Sequence, residues 1–338
     1  MTDEPPLLVR VENGVGHLTL NRPRAINAVT HRMITGIRDA LGQWRVDPRV
    51  HAVLIDGAGE RGLSAGGDIR QLRENKLADR ANDTRDFWRD EYTLCAVIAN
   101  YPKPFIALMD GVTMGGGVGV SAHGSIRIVT ERSKVAMPET RIGLAPDVGG
   151  SWLLARAPGE LGTYLGLNAA TMTAADAILC GFADHFVPSE RLEDFRSAVL
   201  AGEDPAETVA RFSADPGPAP LETEREWIDA CYSAASVPEI LSRLRAHGSD
   251  AARAAAAELL VLSPTSVVTT LAAIRRARER DSFRELLDQE YRVSSWLLDQ
   301  PDLVEGIRAR VVDKDNQPRW NPASIDDVDP REVARVVG

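Results

Sequence analysis

Residues 105 to 122 read Phe-Ile-Ala-Leu-Met-Asp-Gly-Val-Thr-Met-Gly-Gly-Gly-Val-Gly-Val-Ser-Ala. The apolar run Phe105–Met109 has the length of a buried strand, and the glycine run that follows opens onto a helical stretch expected over Gly115–Ala122. Strand, glycine-rich turn and helix in that order form the repeating unit of a parallel α/β sheet. The order recurs upstream. Ala52–Ile55 is a short apolar strand, closed by Asp56-Gly57, and Ser64-Ala-Gly-Gly-Asp-Ile69 then leads into a second helical pattern.

Working outward, Val15–Leu20 reads as a strand stopped by Asn21-Arg22-Pro23, and Ile126–Val129 as another. Thr30 is placed to cap a helix whose apolar positions Met33, Ile34, Ile37, Leu41 and Trp44 recur at helical spacing. A further helix is expected around Asp86–Asn100. Such βαβ alternation implies a largely parallel sheet with crossover helices. After Val187 the character changes. Asp215-Pro-Gly-Pro-Ala-Pro220 is a turn-rich break, Ala251–Leu262 is alanine-rich, and Phe283, Leu286, Leu287, Tyr291, Trp296 and Leu297 keep an i, i+3, i+4 rhythm. The expected division is an α/β core over 1–213 and a helical C-terminal region over 214–338.

Composition narrows the function classes. The 338 residues carry 39 Lys+Arg against 49 Asp+Glu, a formal charge of −10, with 44% hydrophobic and 26% charged residues. These are the proportions of a globular protein with a sizeable core. The negative balance argues against a nucleic-acid partner, whose phosphates demand a basic face. It leaves room for a phosphorylated small molecule held by a few local donors. Three separated cysteines, Cys95, Cys180 and Cys231, fit buried thiols in a reducing compartment better than disulfides or a zinc site. The N-terminus Met-Thr-Asp-Glu-Pro-Pro has neither an apolar nor an Arg-rich targeting pattern, and the apolar stretch Gly111–Ile126 is too short and glycine-rich to span a bilayer. The expectation is a cytoplasmic protein with no membrane partner.

Three features are suited to chemistry. The two glycine turns, at Ser64–Ile69 and Met114–Gly119, bring main-chain N–H groups to helix starts, and a pair of such turns converging would form an oxyanion hole. Taken singly, each could serve only tight helix–strand packing. The third feature is Met137-Pro-Glu-Thr-Arg-Ile-Gly-Leu-Ala-Pro-Asp-Val-Gly-Gly150, with carboxylates Glu139 and Asp147 on a loop that Gly143 and Pro146 keep from becoming a helix. Two acids so held suit general-base, nucleophilic or water-positioning work, although Asp147 also stands where a helix N-cap would. Gly117-Val-Gly-Val-Ser-Ala122 satisfies the loose dinucleotide pattern G-x-G-x-x-A, but its strand ends too early for that motif. The six histidines show no metal-ligand spacing, and neither Ser64 nor Ser121 lies in a G-x-S-x-G setting.

In order and spacing, Leu18-Thr-Leu-Asn-Arg-Pro-Arg-Ala-Ile-Asn27, Ser64-Ala-Gly-Gly-Asp68, Met114–Gly119 and Pro138–Gly150 resemble the crotonase (enoyl-CoA hydratase/isomerase) superfamily. The resemblance implies a spiral of ββα turns with a helical C-terminal region, and an acyl-CoA substrate whose thioester carbonyl binds the N–H groups of Gly67 and Gly116. It implies no metal and no cofactor, CoA being part of the substrate. It also implies association into homo-oligomers, often trimers or hexamers. Hydratases of the superfamily use two glutamates. The second matches Glu139, but the first falls on Gly119, which has no side chain. Asp147 stands where hydratases usually carry glycine.

That combination resembles the branch that hydrolyses 3-hydroxyisobutyryl-CoA to CoA and 3-hydroxyisobutyrate in valine breakdown. Leu262-Ser-Pro-Thr-Ser266, Gln289-Glu-Tyr-Arg292 and Val311-Val-Asp-Lys-Asp-Asn-Gln-Pro-Arg-Trp320 look like its C-terminal segments. Carried over, Glu139 is the attacking group, as nucleophile or as general base on water, and Asp147 positions water or holds the substrate. Glu91, in Arg89-Asp-Glu-Tyr92, accepts from the acyl 3-hydroxyl, so Glu91, Gly116, Glu139 and Asp147 bind substrate. Three other readings compete: a hydratase or isomerase of the same superfamily, an acyl-CoA-binding homologue without turnover, and a nicotinamide dehydrogenase.

Overall fold

The structure is a computed structural model and describes residues 4–338. The chain falls into two compact units, each drawn from three chain segments. The first comprises Met1–Gly67, Asp90–Val135 and Met172–Ala219, and the second Asp68–Arg89, Ala136–Thr171 and Pro220–Gly338.

The first unit is built on a six-stranded sheet of β1 (Leu7–Glu12), β2 (Val15–Leu20), β3 (Ala52–Gly57), β4 (Phe105–Leu108), β5 (Ile126–Val129) and β6 (His185–Phe186), in that spatial order. The hairpin β1–β2 is antiparallel and every later pairing is parallel. Parallel pairing requires crossovers, and helices supply them. The helix His31–Val46 joins β2 to β3 and starts where expected, with Thr30 Oγ1 accepting from the Met33 N–H. Its buried side chains include Met33, Ile34, Ile37, Leu41 and Trp44, the stripe read from the spacing.

Both faces of the sheet are covered. On one, Val15, Leu54, Ile106, Leu108 and Ile128 pack with Phe195, Val199 and Phe212 from the helices Leu192–Leu200 and Pro205–Phe212. On the other, the Trp44 ring lies so close over Gly16 that a Cβ there would stand 2.4 Å from it. Strands buried on both faces read as continuous apolar runs rather than alternations, which is why Ala52–Ile55 and Phe105–Met109 are so uniformly hydrophobic.

Two expectations change in detail. The helix expected over Gly115–Ala122 is a single turn, Gly116–Gly119, because a run of glycines cannot sustain helix length. A short strand, Val112–Met114, leads into it. The helix around Asp86–Asn100 is longer, Ala81–Ala99, and its residues from Asp90 onward belong to the first unit.

The second unit is helical. Pro264–Arg278 packs against Gly150–Arg156, Leu161–Asn168 and Pro330–Val337, and Phe283–Asp299 packs beside it. Ser263 caps Pro264–Arg278 by accepting from the Ser266 N–H, and its hydroxyl donates to the buried Asp302 carboxylate at 2.6 Å. Among the described residues no single helix is long and apolar enough to cross a membrane.

Candidate active site

In the first unit the loop after β2 ties down the first glycine turn. Asn27 is fully buried. Its amide donates to the carbonyls of Ala58 and Gly62, both at 3.0 Å, and its carbonyl accepts from the Arg22 N–H at 2.9 Å. Ser64 Oγ donates to the Asn27 carbonyl at 3.0 Å and accepts from the Gly66 N–H at 3.2 Å. The turn is then laced to the second glycine segment. The Ser64 N–H donates to the Val112 carbonyl and the Met114 N–H to the Ser64 carbonyl, both at 3.0 Å, which pairs Ser64 with Thr113 in parallel.

Two parallel chains in register at 64 and 113 arrive together three residues on, at Gly67 and Gly116. A Cβ placed on Gly116 would stand 3.1 Å from the Gly67 amide nitrogen and 2.7 Å from Glu91 Oε1. Gly116 is the first residue of its helical turn, so its N–H has no intrahelical acceptor. The space beside it is the size of one atom and is bordered by a second amide. Oxyanion donors act at about 2.7–3.1 Å from the oxygen they stabilise. Glycine at 116 is therefore a requirement of close approach.

Glu91, 2% exposed, reaches this point from the helix Ala81–Ala99. One turn further along, the Cys95 thiol donates to the Gly119 carbonyl at 3.5 Å. The same face of that helix thus sets a carboxylate beside Gly116 and a thiol beside Gly119, which itself has no side chain.

The second unit carries the other two acids. Glu139, 6% exposed, opens a tight turn over Glu139–Ile142 after Pro138, with its carbonyl accepting from the Leu144 N–H at 3.0 Å. The turn is anchored on either side. Thr140 Oγ1 donates to the Leu167 carbonyl at 3.3 Å, and Arg141 pairs with Glu258.

Asp147, also 6% exposed, begins the turn Asp147-Val148-Gly149-Gly150, closed by the Gly150 N–H donating to the Asp147 carbonyl at 2.6 Å. Val148 and Gly149 take φ of +52° and +78°, the pattern of a type I′ turn. A β-branched residue in that region is an outlier. Asp147 does not serve as the N-cap of the helix Gly150–Arg156. That place belongs to Gly149, which offers no capping side chain.

The capping acceptor comes instead from 139 residues away in sequence. Glu290, 2% exposed, accepts from the Gly149 N–H at 2.7 Å, the Ser151 N–H at 3.1 Å and the Ser151 hydroxyl at 2.5 Å. Burial pushes its carboxyl up to about 8; the three donors pull it back, and the negative charge of Asp147 adds to the rise. Sequence reading assigned Glu290 no role. The available signal was an acid set among Leu286, Leu287, Val293 and Leu297 on the buried stripe of Phe283–Asp299.

The first unit therefore brings together Gly67, Gly116 and Glu91, and the second places Glu139 and Asp147 on one constrained segment with Glu290 behind it. Among the described residues, no group of three or more His, Cys, Asp and Glu side chains is placed to hold a metal ion. Cys95, Cys180 and Cys231 are buried and in no disulfide. His17 is a core residue on β2, bonded at 3.0 Å to Asp56, whose carboxyl burial would raise but which His17 and Arg196 hold below its ordinary value. The sheet's strands neighbour one another in chain order. They form no reversal point of the kind at which dinucleotides bind, and Gly117–Ala122 follows a strand outside that sheet.

The family model for enoyl-CoA hydratase/isomerase matches residues 15–337. The mitochondrial 3-hydroxyisobutyryl-CoA hydrolase of Mus musculus is 40% identical over 337 residues, covering 97% of this chain and 87% of its own length. Its counterpart from Xenopus tropicalis is 40% identical over 324 residues, covering 93% and 83%. Among solved structures, a carnitinyl-CoA dehydratase from Mycobacterium thermoresistibile superposes with a TM-score of 0.96 at 47% identity, covering 99% of this chain and 97% of its own. An enoyl-CoA hydratase from Rhodobacter sphaeroides 2.4.1 gives 0.93 at 41% identity, covering 98% and 97%.

Proposed function

The chain belongs to the enoyl-CoA hydratase/isomerase family, and from that premise we propose that it hydrolyses a short 3-hydroxyacyl-CoA thioester, 3-hydroxyisobutyryl-CoA foremost, to the free 3-hydroxy acid and CoA. The observation that carries the reading is the composition of the glycine pair's surroundings. Two amides and the Glu91 carboxylate meet at Gly116, while Gly119 supplies none of the second acid that water addition to a double bond needs. The hydrolase relatives, similar over nearly the whole chain, support it.

In this mechanism the Gly67 and Gly116 N–H groups take the thioester oxygen as it gains charge, worth about 10²–10³ in rate per donor. Glu139 starts the reaction at the carbonyl carbon. As general base it takes a proton from water while the new C–O bond forms. As nucleophile it forms a mixed anhydride that water then opens. In both courses the C–S bond breaks and CoA leaves as thiolate. Single turnover in ¹⁸O-water tests the anhydride course, since label in the Glu139 side chain requires an anhydride that water has opened at the Glu139 carbonyl. Asp147 positions water or substrate. Glu91 accepts from the 3-hydroxyl, a contact that allows strong discrimination against acyl groups lacking it. The reaction calls on no metal or redox cofactor, and CoA enters and leaves as part of the substrate.

The solved structures' names favour a second reading, hydration or dehydration at a double bond, against which Gly119 stands. Thiol release from 3-hydroxyisobutyryl-CoA, followed alongside the absorbance of an enoyl-CoA, tests the two together. Hydrolysis predicts thiol release without loss of enoyl absorbance, and hydration the reverse. The same proposal includes a cytoplasmic location and self-association. Fractionation of the host cell and light scattering of the purified protein check these.

A further inference from the structure

Glu290 is a buried acid outside the set that the reaction uses. Its carboxylate is consumed by three donors, the Gly149 N–H, the Ser151 N–H and the Ser151 hydroxyl, all within two residues of the turn that begins at Asp147. That turn is under strain, with Val148 at a φ of +52° that a β-branched side chain rarely adopts. A strained turn persists only where its surroundings over-determine it. Here the determinants include the Asp147 carbonyl bond from the Gly150 N–H, the burial of Val148 at 1% exposure, and the Glu290 carboxyl group. An acid is a costly means of capping a buried helix end, because burial disfavours its charged form and makes the folded chain hold a proton that the unfolded chain would lose. A serine or asparagine at position 149 would cap locally at no such cost, but a side chain there would meet the positive φ of 78°.

We infer that Glu290 is a positioning residue for the thioester hydrolysis: from the helix Phe283–Asp299 it clamps the Asp147–Ser151 turn and so fixes where the Asp147 carboxylate stands. The inference rests on the role proposed for Asp147. The upward displacement of the Glu290 carboxyl accords with it, since Asp147 itself contributes to that displacement and the two acids therefore sense each other.

A double-mutant cycle tests it. Glu290→Gln keeps the shape but turns an NH₂ toward at least one of the backbone donors. In the purified full-length chain it is expected to lower kcat for thiol release about 10- to 100-fold, as misplaced catalytic groups do, with KM held within about twofold. In the Asp147→Asn background the same change is expected to cost less than about twofold, since there is no carboxylate left to place. Equal losses in both backgrounds overturn the clamp while leaving Asp147's role intact. An Asp147→Asn variant of full activity overturns both, which separates the two failures. Should Glu290→Gln not fold, Ser151→Ala removes one of the three bonds and is read through the same cycle. A kcat drop of about threefold or more that vanishes beside Asp147→Asn supports the clamp, and an unchanged kcat overturns it.

Discussion

Replacing Gly116 by alanine puts a methyl group at the point where Gly67, Gly116 and Glu91 meet. The added Cβ would lie 3.1 Å from the Gly67 nitrogen, the distance at which that amide would hold a carbonyl oxygen, and 2.7 Å from Glu91 Oε1. The first contact denies the oxygen its place. The second forces the Glu91 carboxylate to retreat by several tenths of an ångström. Loss of one oxyanion donor costs about 10²–10³ in rate, about 2.7–4 kcal/mol. Because the methyl stands within hydrogen-bond distance of the Gly67 amide, the expected fall in kcat/KM lies in that range.

Stability moves too. Gly116 does not have a positive φ, so alanine gains about 0.5–1 kcal/mol of backbone entropy, set against the displacement of the buried Glu91 carboxyl and of the Gly67 backbone. The assay is thiol release from 3-hydroxyisobutyryl-CoA beside a thermal melt of the same preparation. A Gly116→Ala enzyme that melts like the parent and retains kcat/KM within about threefold would refute the reasoning, because no oxygen can share that space with a methyl group.

Other expectations follow from single residues. Glu91→Ala is expected to lower the preference for 3-hydroxyisobutyryl-CoA over isobutyryl-CoA by about tenfold or more, measured as a ratio of kcat/KM; an unchanged ratio removes Glu91 from hydroxyl recognition. Thr30→Ala is expected to cost about 1 kcal/mol in denaturant unfolding through loss of the cap on His31–Val46, with activity unaltered. Glu290 gives a pH dependence. Its folded carboxyl sits near 8 against an ordinary 4.5, so between those values the native state holds a proton that the unfolded chain has lost. This contribution therefore makes stability fall as pH rises through that window, by at most about 1.4 kcal/mol per pH unit. Unfolding curves across that range should show Glu290→Gln gaining on the parent as pH rises, and parallel curves would contradict the assignment.

The parts of the fold legible in the sequence are those with local causes. Helix His31–Val46 carries its cap and its stripe within a single window, and β2 is bounded by turn residues on the chain itself. β1 escaped notice because Val9 and Val11 are exposed on an edge strand, which removes the contrast between buried and solvent faces that marks a strand. β6 is two residues long and is defined by its pairing with β5 and by the bridge from Phe186 to Ala214. At the site, the glycine turns and the Pro-Glu loop announced their chemistry through residue type. What joins Gly67 to Gly116 is the Ser64–Thr113 pairing, a contact between chains 49 residues apart that no local pattern encodes. Glu290 was less legible still, since an acid inside an apolar rhythm has meaning only once Gly149 and Ser151 are seen against it.

The central claim, that this chain breaks a thioester rather than hydrating a double bond, meets its most direct test in one measurement. Wild type and Glu139→Gln are compared for free thiol released from 3-hydroxyisobutyryl-CoA and from isobutyryl-CoA, with enoyl absorbance followed in parallel on crotonyl-CoA. The account predicts rapid thiol release from the 3-hydroxy substrate by the wild type alone, slower release from the plain acyl substrate, and no loss of enoyl absorbance. Loss of enoyl absorbance without thiol release, or undiminished thiol release by Glu139→Gln, would contradict it.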